Sequence, residues 1–419
     1  YHPDTELFRY TYATFYDRIQ DSDTALGELI EMLKTDGELD NTFVFYFGDN
    51  GGSLPGTKGY TTEGGLQVPL VVYVPRKWRE FLPVKVGQRV DGFVSFMDLG
   101  PTLLHLAGIT VPEGIDGTPF LGEDISLKQL NDRDEVYGYG DRFDELYAFN
   151  RTVRKGRFKY SRNFQPYHSK SLYAFYRYKQ AAFREWKELY AKGMLNEIQK
   201  RFFEPQGAEE LYDLSVDPYE TKNLATVPVY RSTLENLRIL LKGKLLEEND
   251  LGFYPECVWL EQGSQNPTGF GKKKKDKIKI YSDIADLEMA SFKDAKPAIS
   301  KALNSSDPVE RYWGATVCAS FGGEAVSLYK ELELLTVDTQ AFVRSRAIVA
   351  LSRMGKVNPV PLMKEALQIA GSGAESLLIL NDITYLQESN LGVHFNLQES
   401  DILQKCSVTD WRLKYLSAK

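Results

Sequence analysis

The sequence has 419 residues, of which 42% are hydrophobic and 26% charged, with a net charge of −7. That composition is ordinary for a globular protein of two or three domains with ample core. The acidic balance argues against nucleic acid as the default partner, and no apolar run of about 18 residues exists to span a membrane. Cys257, Cys318 and Cys406 are far apart and match no zinc or redox spacing.

Taken in chain order, Tyr12, Phe15, Tyr16, Ile19, Leu26, Leu29, Ile30 and Leu33 fall on one face at helical spacing, with Gly37 as the stop. Thr42 to Phe47 is a continuous β-branched and aromatic run and reads as a buried strand, followed by the loop Gly48-Asp49-Asn50-Gly51-Gly52. A second buried-looking strand runs from Val68 to Val74, and Asp98 caps a helix with Pro101 in its first turn. Helix, strand, loop, strand, helix predicts an α/β sheet rather than a bundle. Thr152 to Tyr160 reads as a hairpin turning at Gly156, Leu172 to Phe203 as an aromatic helical stretch, and Val229 to Glu248 as a helix.

Between Gly263 and Lys277 the composition shifts to Gly, Ser, Asn and Pro with four consecutive lysines, Lys272 to Lys275, which predicts a solvated linker. Beyond it, Arg311 through Gly322 can be laid over Arg344 through Gly355 at an offset of 344 − 311 = 33 residues, and a weaker third copy runs through Leu377, Leu380 and Ile383. Repeats of helix pairs at that period stack into an α-solenoid of HEAT type. The predicted organisation is therefore an α/β domain over 1–262 with a small antiparallel subdomain at about 135–250, a linker over 263–277, and a helical repeat domain over 278–419.

A carboxylate and a carboxamide, Asp49 and Asn50, at the end of a strand on a glycine-permitted turn suit a hard cation. With Lys58 on the next loop they make a candidate anion site; Asp, Asn and Gly are also the usual turn formers, and a loop lysine is also an ordinary solvated charge. Arg142 and Asp144 follow a strand-like segment and are candidate substrate contacts, with a salt-bridged loop as the plain alternative. His168 is a candidate for lining a sugar subsite.

Four blocks carry a resemblance in a fixed order: Gly48-Asp49-Asn50-Gly51; Lys58-Gly59 with Glu63-Gly64-Gly65 and Val68-Pro69; Asp98-Leu99 with Pro101 to Leu104; and Glu210 to Leu214 with Asp217-Pro218, Glu220 and Asn223 to Ala225. Together, over roughly residues 1–250, they resemble the landmarks of type I, formylglycine-dependent sulfatases of the alkaline phosphatase superfamily. The finer likeness is to bacterial sulfatases similar to N-sulfoglucosamine sulfohydrolase. The resemblance implies that Asp49 and Asn50 are oxygen ligands of a Ca2+ ion, that Lys58 contacts the sulfate and assists the leaving group, and that Glu63, Gly64 and Gly65 shape the loop.

It also implies a nucleophile, Cys or Ser within Cys/Ser-x-Pro-x-Arg, converted to formylglycine. None of the three cysteines sits in that motif, so the chain as given is expected to lack the nucleophile and a first aspartate pair, and to be inactive alone. The implied partner is a sulfated saccharide in a periplasmic or extracellular setting, with the helical repeats as a surface for a homo-oligomer or another protein. Two alternatives stay open: a phosphomonoesterase or phosphodiesterase on the same scaffold, and a catalytically incomplete scaffold that binds through its repeats.

Overall fold

A computed structural model describes residues 1–85 and 87–417. Helix α1 (Glu6–Thr35) starts where Thr5 accepts a hydrogen bond from the Phe8 amide, and ends before Gly37, whose φ of +73° no longer continues a helix. Its apolar stripe is real but thinly covered: only Phe8 is buried, against Tyr178, Phe183, Trp186, Phe202 and Phe203.

Strand β1 (Val44–Phe47) leads into the Asp49-Asn50 loop and the short helix α2 (Glu63–Leu66), and β2 (Leu70–Tyr73) returns antiparallel to it. Both strands were expected to be buried. Instead Phe45, Leu70 and Val72 pack on the small cluster of Phe120, Leu121 and Leu130, while Phe47 and Val71 are exposed. Helix α3 (Leu99–Leu106) follows, held by the buried Asp98, which accepts from the amides of Ser95 (2.9 Å) and Thr118 (2.8 Å). After α4 (Leu127–Asn131) come β3 (Glu135–Phe143), β4 (Leu146–Lys155), β5 (Phe158–Asn163) and, after helices α5 (Phe175–Tyr178), α6 (Ala181–Ala191) and α7 (Glu197–Lys200), β6 (Glu209–Asp213).

These four strands form an antiparallel sheet in sequence order, with Gly156 at φ +54° in the β4–β5 turn. The predicted aromatic helix over 172–203 is thus three short helices, whose rings Tyr178, Phe183, Trp186, Phe202 and Phe203 gather in one small cluster with Phe8. Helix α8 (Arg231–Glu247) crosses β4 and β5.

The expected linker over 263–277 is a correction. Helix α9 (Glu256–Gly263) runs almost directly into α10 (Pro267–Ala285), which contains all four lysines. The polar residues that suggested a linker are a helix start: Asn266 accepts from the Gly269 amide at 2.8 Å and Pro267 occupies the first helical position. Gly271, Ile278, Tyr281 and Ala285 are buried at helical spacing, while Lys272, Lys273 and Lys275 are exposed.

Helices α11 (Phe292–Leu303), α12 (Pro308–Phe321), α13 (Tyr329–Leu335), α14 (Ala341–Arg353), α15 (Pro359–Gln368), α16 (Gly373–Glu388) and α17 (Thr409–Leu416) complete the chain. Helix α12 packs on α14 and α14 on α16, and their starts are spaced by 341 − 308 = 33 and 373 − 341 = 32 residues. One continuous hydrophobic cluster reaches from Leu146 on β4 to Leu416 on α17, so sheet and helices share a core.

Polar groups cross that core as well. Arg346 and Asp382, each 1% exposed, pair at 2.8 Å, and Arg346 also donates to the hydroxyls of Tyr167 (2.9 Å) and Tyr312 (3.0 Å). Asn381 bonds both the amide and the carbonyl of Tyr147, each at 3.1 Å. Among the described residues, no helix is long and apolar enough to cross a membrane.

Candidate active site

The loop after β1 is tied into a knot of backbone bonds. The Gly48 amide donates to Pro69 O (3.2 Å), Gly51 to Gly65 O (3.0 Å) and Lys58 to Gly52 O (3.2 Å). Gly51 must be glycine for a steric reason, since a Cβ there would overlap the Gly64 carbonyl. Asp49 is exposed and Asn50 half-buried, and the side chains of neither enter any hydrogen bond among the described residues. Two oxygen-bearing side chains thus stand free at the end of β1, eight and nine residues before a lysine whose own loop is bonded to theirs.

Lys58 makes no ion pair among the described residues; its Nζ lies 5.4 Å from the centroid of the Tyr176 ring. That places an ammonium group over a π face, where the quadrupole attracts it without neutralising it. Gly59, at φ +79°, lets the chain turn beneath Phe143, and its carbonyl accepts from Arg177 Nη2 at 2.8 Å. Arg177 also lies 3.9 Å from the Tyr60 centroid; burial pushes the Tyr60 hydroxyl up to about 12, with Arg177 opposing.

The second and fourth sequence blocks meet in a buried network. Glu63 pairs with Arg154 (2.5 Å) and Lys159 (3.2 Å), Lys159 pairs with Glu220 (2.7 Å), and Glu220 accepts from the Glu63 amide (2.8 Å). Lys159 is only 1% exposed, so each carboxylate offsets its desolvation. Glu63 therefore anchors the lysine-bearing segment to β4, β5 and the loop after β6. Asp217 and Asn223 of the fourth block lock that loop by accepting amides of Thr221 and Lys222, and of Leu211 and Ala225.

The three candidate substrate contacts have surroundings of their own. Arg142 is held by Glu256 of α9, with its Nε 2.6 and 2.8 Å from the two carboxylate oxygens and Nη2 on the same group. Asp144 sits at φ +52° in the two-residue turn between β3 and β4. His168 is a correction. It is 4% exposed, packed in the core against Tyr167 and Tyr385 rather than on an open surface. Burial, then the charges of Arg346, Arg353 and Arg412, hold its pKa well below the usual histidine value. Gln165, with its amide turned to donate to His168 Nδ1 at 3.1 Å, leaves the ring's proton on the unpartnered Nε2.

Sequence reasoning missed Tyr176 and Arg177, which flank the lysine from 118 residues away along the chain. Their segment, Phe175-Tyr176-Arg177-Tyr178, carried only a general aromatic signal.

The sulfatase family model matches residues 1–109. An ulvan-active sulfatase of Formosa agariphila is 34% identical over 257 residues, 61% of this chain and 41% of that protein. Human N-sulphoglucosamine sulphohydrolase is 27% identical over 248 residues, 56% of this chain and 48% of that protein. The chain thus spans less than half the length of either relative. A solved Bacteroides thetaiotaomicron sulfatase structure aligns with 60% of this chain and 46% of its own at 22% identity and a TM-score of 0.42, too loose to bear on the fold. The chain is thus similar to sulfatases, most directly over residues 1–109, which match the family model.

Proposed function

We propose that the protein hydrolyses sulfate esters or N-sulfates on a sulfated carbohydrate, with Lys58 as the group that meets the sulfate. One observation carries this reading: an unpaired ammonium on a loop bonded directly to the Asp49-Asn50 turn. A tetrahedral sulfate transfers charge to its bridging and equatorial oxygens in the transition state, and a compact ammonium with three rotatable donors can follow it. The Gly59 carbonyl bond to Arg177 and the Gly51–Gly65 bond limit how far that ammonium can drift.

Asp49 and Asn50 supply oxygen donors alone, a chemistry that fits calcium better than zinc or copper. A calcium ion there would add fixed positive charge, and a formylglycine from the family motif, which these residues do not contain, would supply the nucleophile. The ulvan-active relative motivates ulvan as the first substrate to try. The α11–α16 layer is read as HEAT-type and the setting as periplasmic or extracellular.

The test is sulfate release by the full-length protein from ulvan oligosaccharides and from N-sulfated glucosamine, with phosphate esters alongside. Lys58→Ala should lower kcat by about 100-fold or more, with a smaller change in KM. An unchanged kcat removes the assignment. Asp49→Ala should abolish calcium-dependent turnover, and activity retained by that variant after chelation excludes the metal role. Preference for phosphate esters would favour the phosphoesterase reading.

A further inference from the structure

The last helix reaches the lysine loop through an unbroken series of contacts. Arg412 on α17 is fully buried, and its guanidinium donates to three carbonyl oxygens: Tyr173 O (2.5 Å), Glu145 O (3.3 Å) and Asn381 Oδ1 (3.3 Å). Among the described residues no carboxylate pairs with it, and its Nε has no partner. A planar five-donor fork suits three divergent carbonyls in a way that a lysine ammonium does not.

What it clamps is the entry to α5. The Glu145 carboxylate, also fully buried, accepts the Phe175 amide at 2.5 Å, and the Phe175 ring lies 5.0 Å from Trp411 of the same terminal helix. Tyr173 stacks on Tyr415 at 3.7 Å and donates its amide to Glu388 at 3.1 Å. From α5, Tyr176 and Phe143 pack edge to face at 5.6 Å, Tyr176 underlies the Lys58 ammonium, and Arg177 holds the Gly59 carbonyl.

We propose that α17 is a positioning element for the lysine loop, with Arg412 fixing the 173–175 backbone so that Tyr176 and Arg177 hold Lys58 and Gly59. The helical layer is then part of the active-site scaffold rather than an appendage. The assignment of chemistry to Lys58 rests on the function proposed above; the mechanical coupling does not. Misplacing a reacting group by about 1 Å can lower a rate by about 100-fold without altering overall affinity as much.

The experiment compares Arg412→Gln with Arg311→Gln in the full-length protein. Arg311 bonds only Asp338 and Ser305 within the helical layer, so its loss controls for general destabilisation. Arg412→Gln should speed hydrogen exchange at the Lys58 and Tyr60 amides and lower kcat about tenfold or more at near-constant KM. Arg311→Gln should do neither. Should Arg412→Gln fail to accumulate, Trp411→Leu carries the same comparison. Equal exchange at Lys58 and Tyr60 in the two variants overturns the proposal, as does an equal kcat where the wild type releases sulfate. Faster exchange in a protein whose wild type releases no sulfate would sink the sulfatase reading and leave the coupling standing.

Discussion

The region before β3 and the region after it are built from similar proportions of apolar residues but cover them very differently. On α1, β1 and β2, Tyr16, Met32 and Val71 are 60% or more exposed, whereas Val317, Ala347 and Ile383 in the helical layer are wholly buried. The first region has one small cluster of its own, around Phe120, Leu121 and Leu130, and lends Phe8 to a ring cluster supplied by 178–203; the largest cluster, Leu146 to Leu416, lies wholly in the second. The candidate site lies on the seam. Asp49, Asn50 and Lys58 come from the thinly covered side, and Tyr176, Arg177 and Glu220 come from the packed side. Order at the lysine therefore comes mainly from residues far away in sequence.

The sharpest way to break that contrast is to remove one charge from each region. Asp382→Ala leaves Arg346 buried without a counter-charge, which costs about 3–5 kcal/mol. That is a large share of the roughly 5–15 kcal/mol available to a domain. Asp4→Ala on the exposed Asp4–Arg9 pair should leave the melting temperature unmoved. Thermal unfolding of both variants checks this, and similar losses in the two would show that the regions do not differ in the way burial implies.

A pH titration probes a buried histidine on the packed side. His168 is held neutral in the fold but binds a proton when unfolded, so the unfolded state takes up protons as pH falls through about 6.5. Stability from this group is present above that pH and is lost below it, by up to about 2 kcal/mol between pH 7 and pH 5. His2, which burial lowers to about 4, acts in the same direction from the thin side. Denaturant unfolding at the two pH values should show a smaller loss in His168→Gln than in wild type. An unchanged loss would mean that the ring reaches solvent.

The sequence signals that proved readable were local. Gly37 and Gly156 mark chain reversals that only a positive φ permits, and the 33-residue offset reappears between the starts of α12 and α14, with α16 starting 32 residues further on. The Glu63 block was readable as loop-shaping, yet its partners Arg154, Lys159 and Glu220 were not, because a buried ion network has no spacing along the chain. The lysine run misled for a similar reason: Asn266-Pro267 begins a helix as readily as a loop, and only the burial of Ile278 and Tyr281 separates the two. His168 looked like a sugar-facing residue because aromatic neighbours in sequence cannot say whether they line a cleft or a core. Tyr176 and Arg177 escaped notice because their importance lies in which loop they touch.

The smallest expected effect tests the seam itself, at Asp144. A non-glycine residue at φ +52° carries about 1–2 kcal/mol of backbone strain, less for Asp than for Ala because its short carboxylate can bond locally. Asp144→Ala should therefore lower stability by about 1 kcal/mol or less, and Asp144→Gly should recover it or slightly more. Neither should change kcat/KM for a sulfated saccharide if the residue serves only the β3–β4 turn. A drop in kcat/KM common to both variants, with the melting temperature of the glycine variant intact, would instead make Asp144 a substrate contact. The packed side would then supply recognition at the seam as well as support.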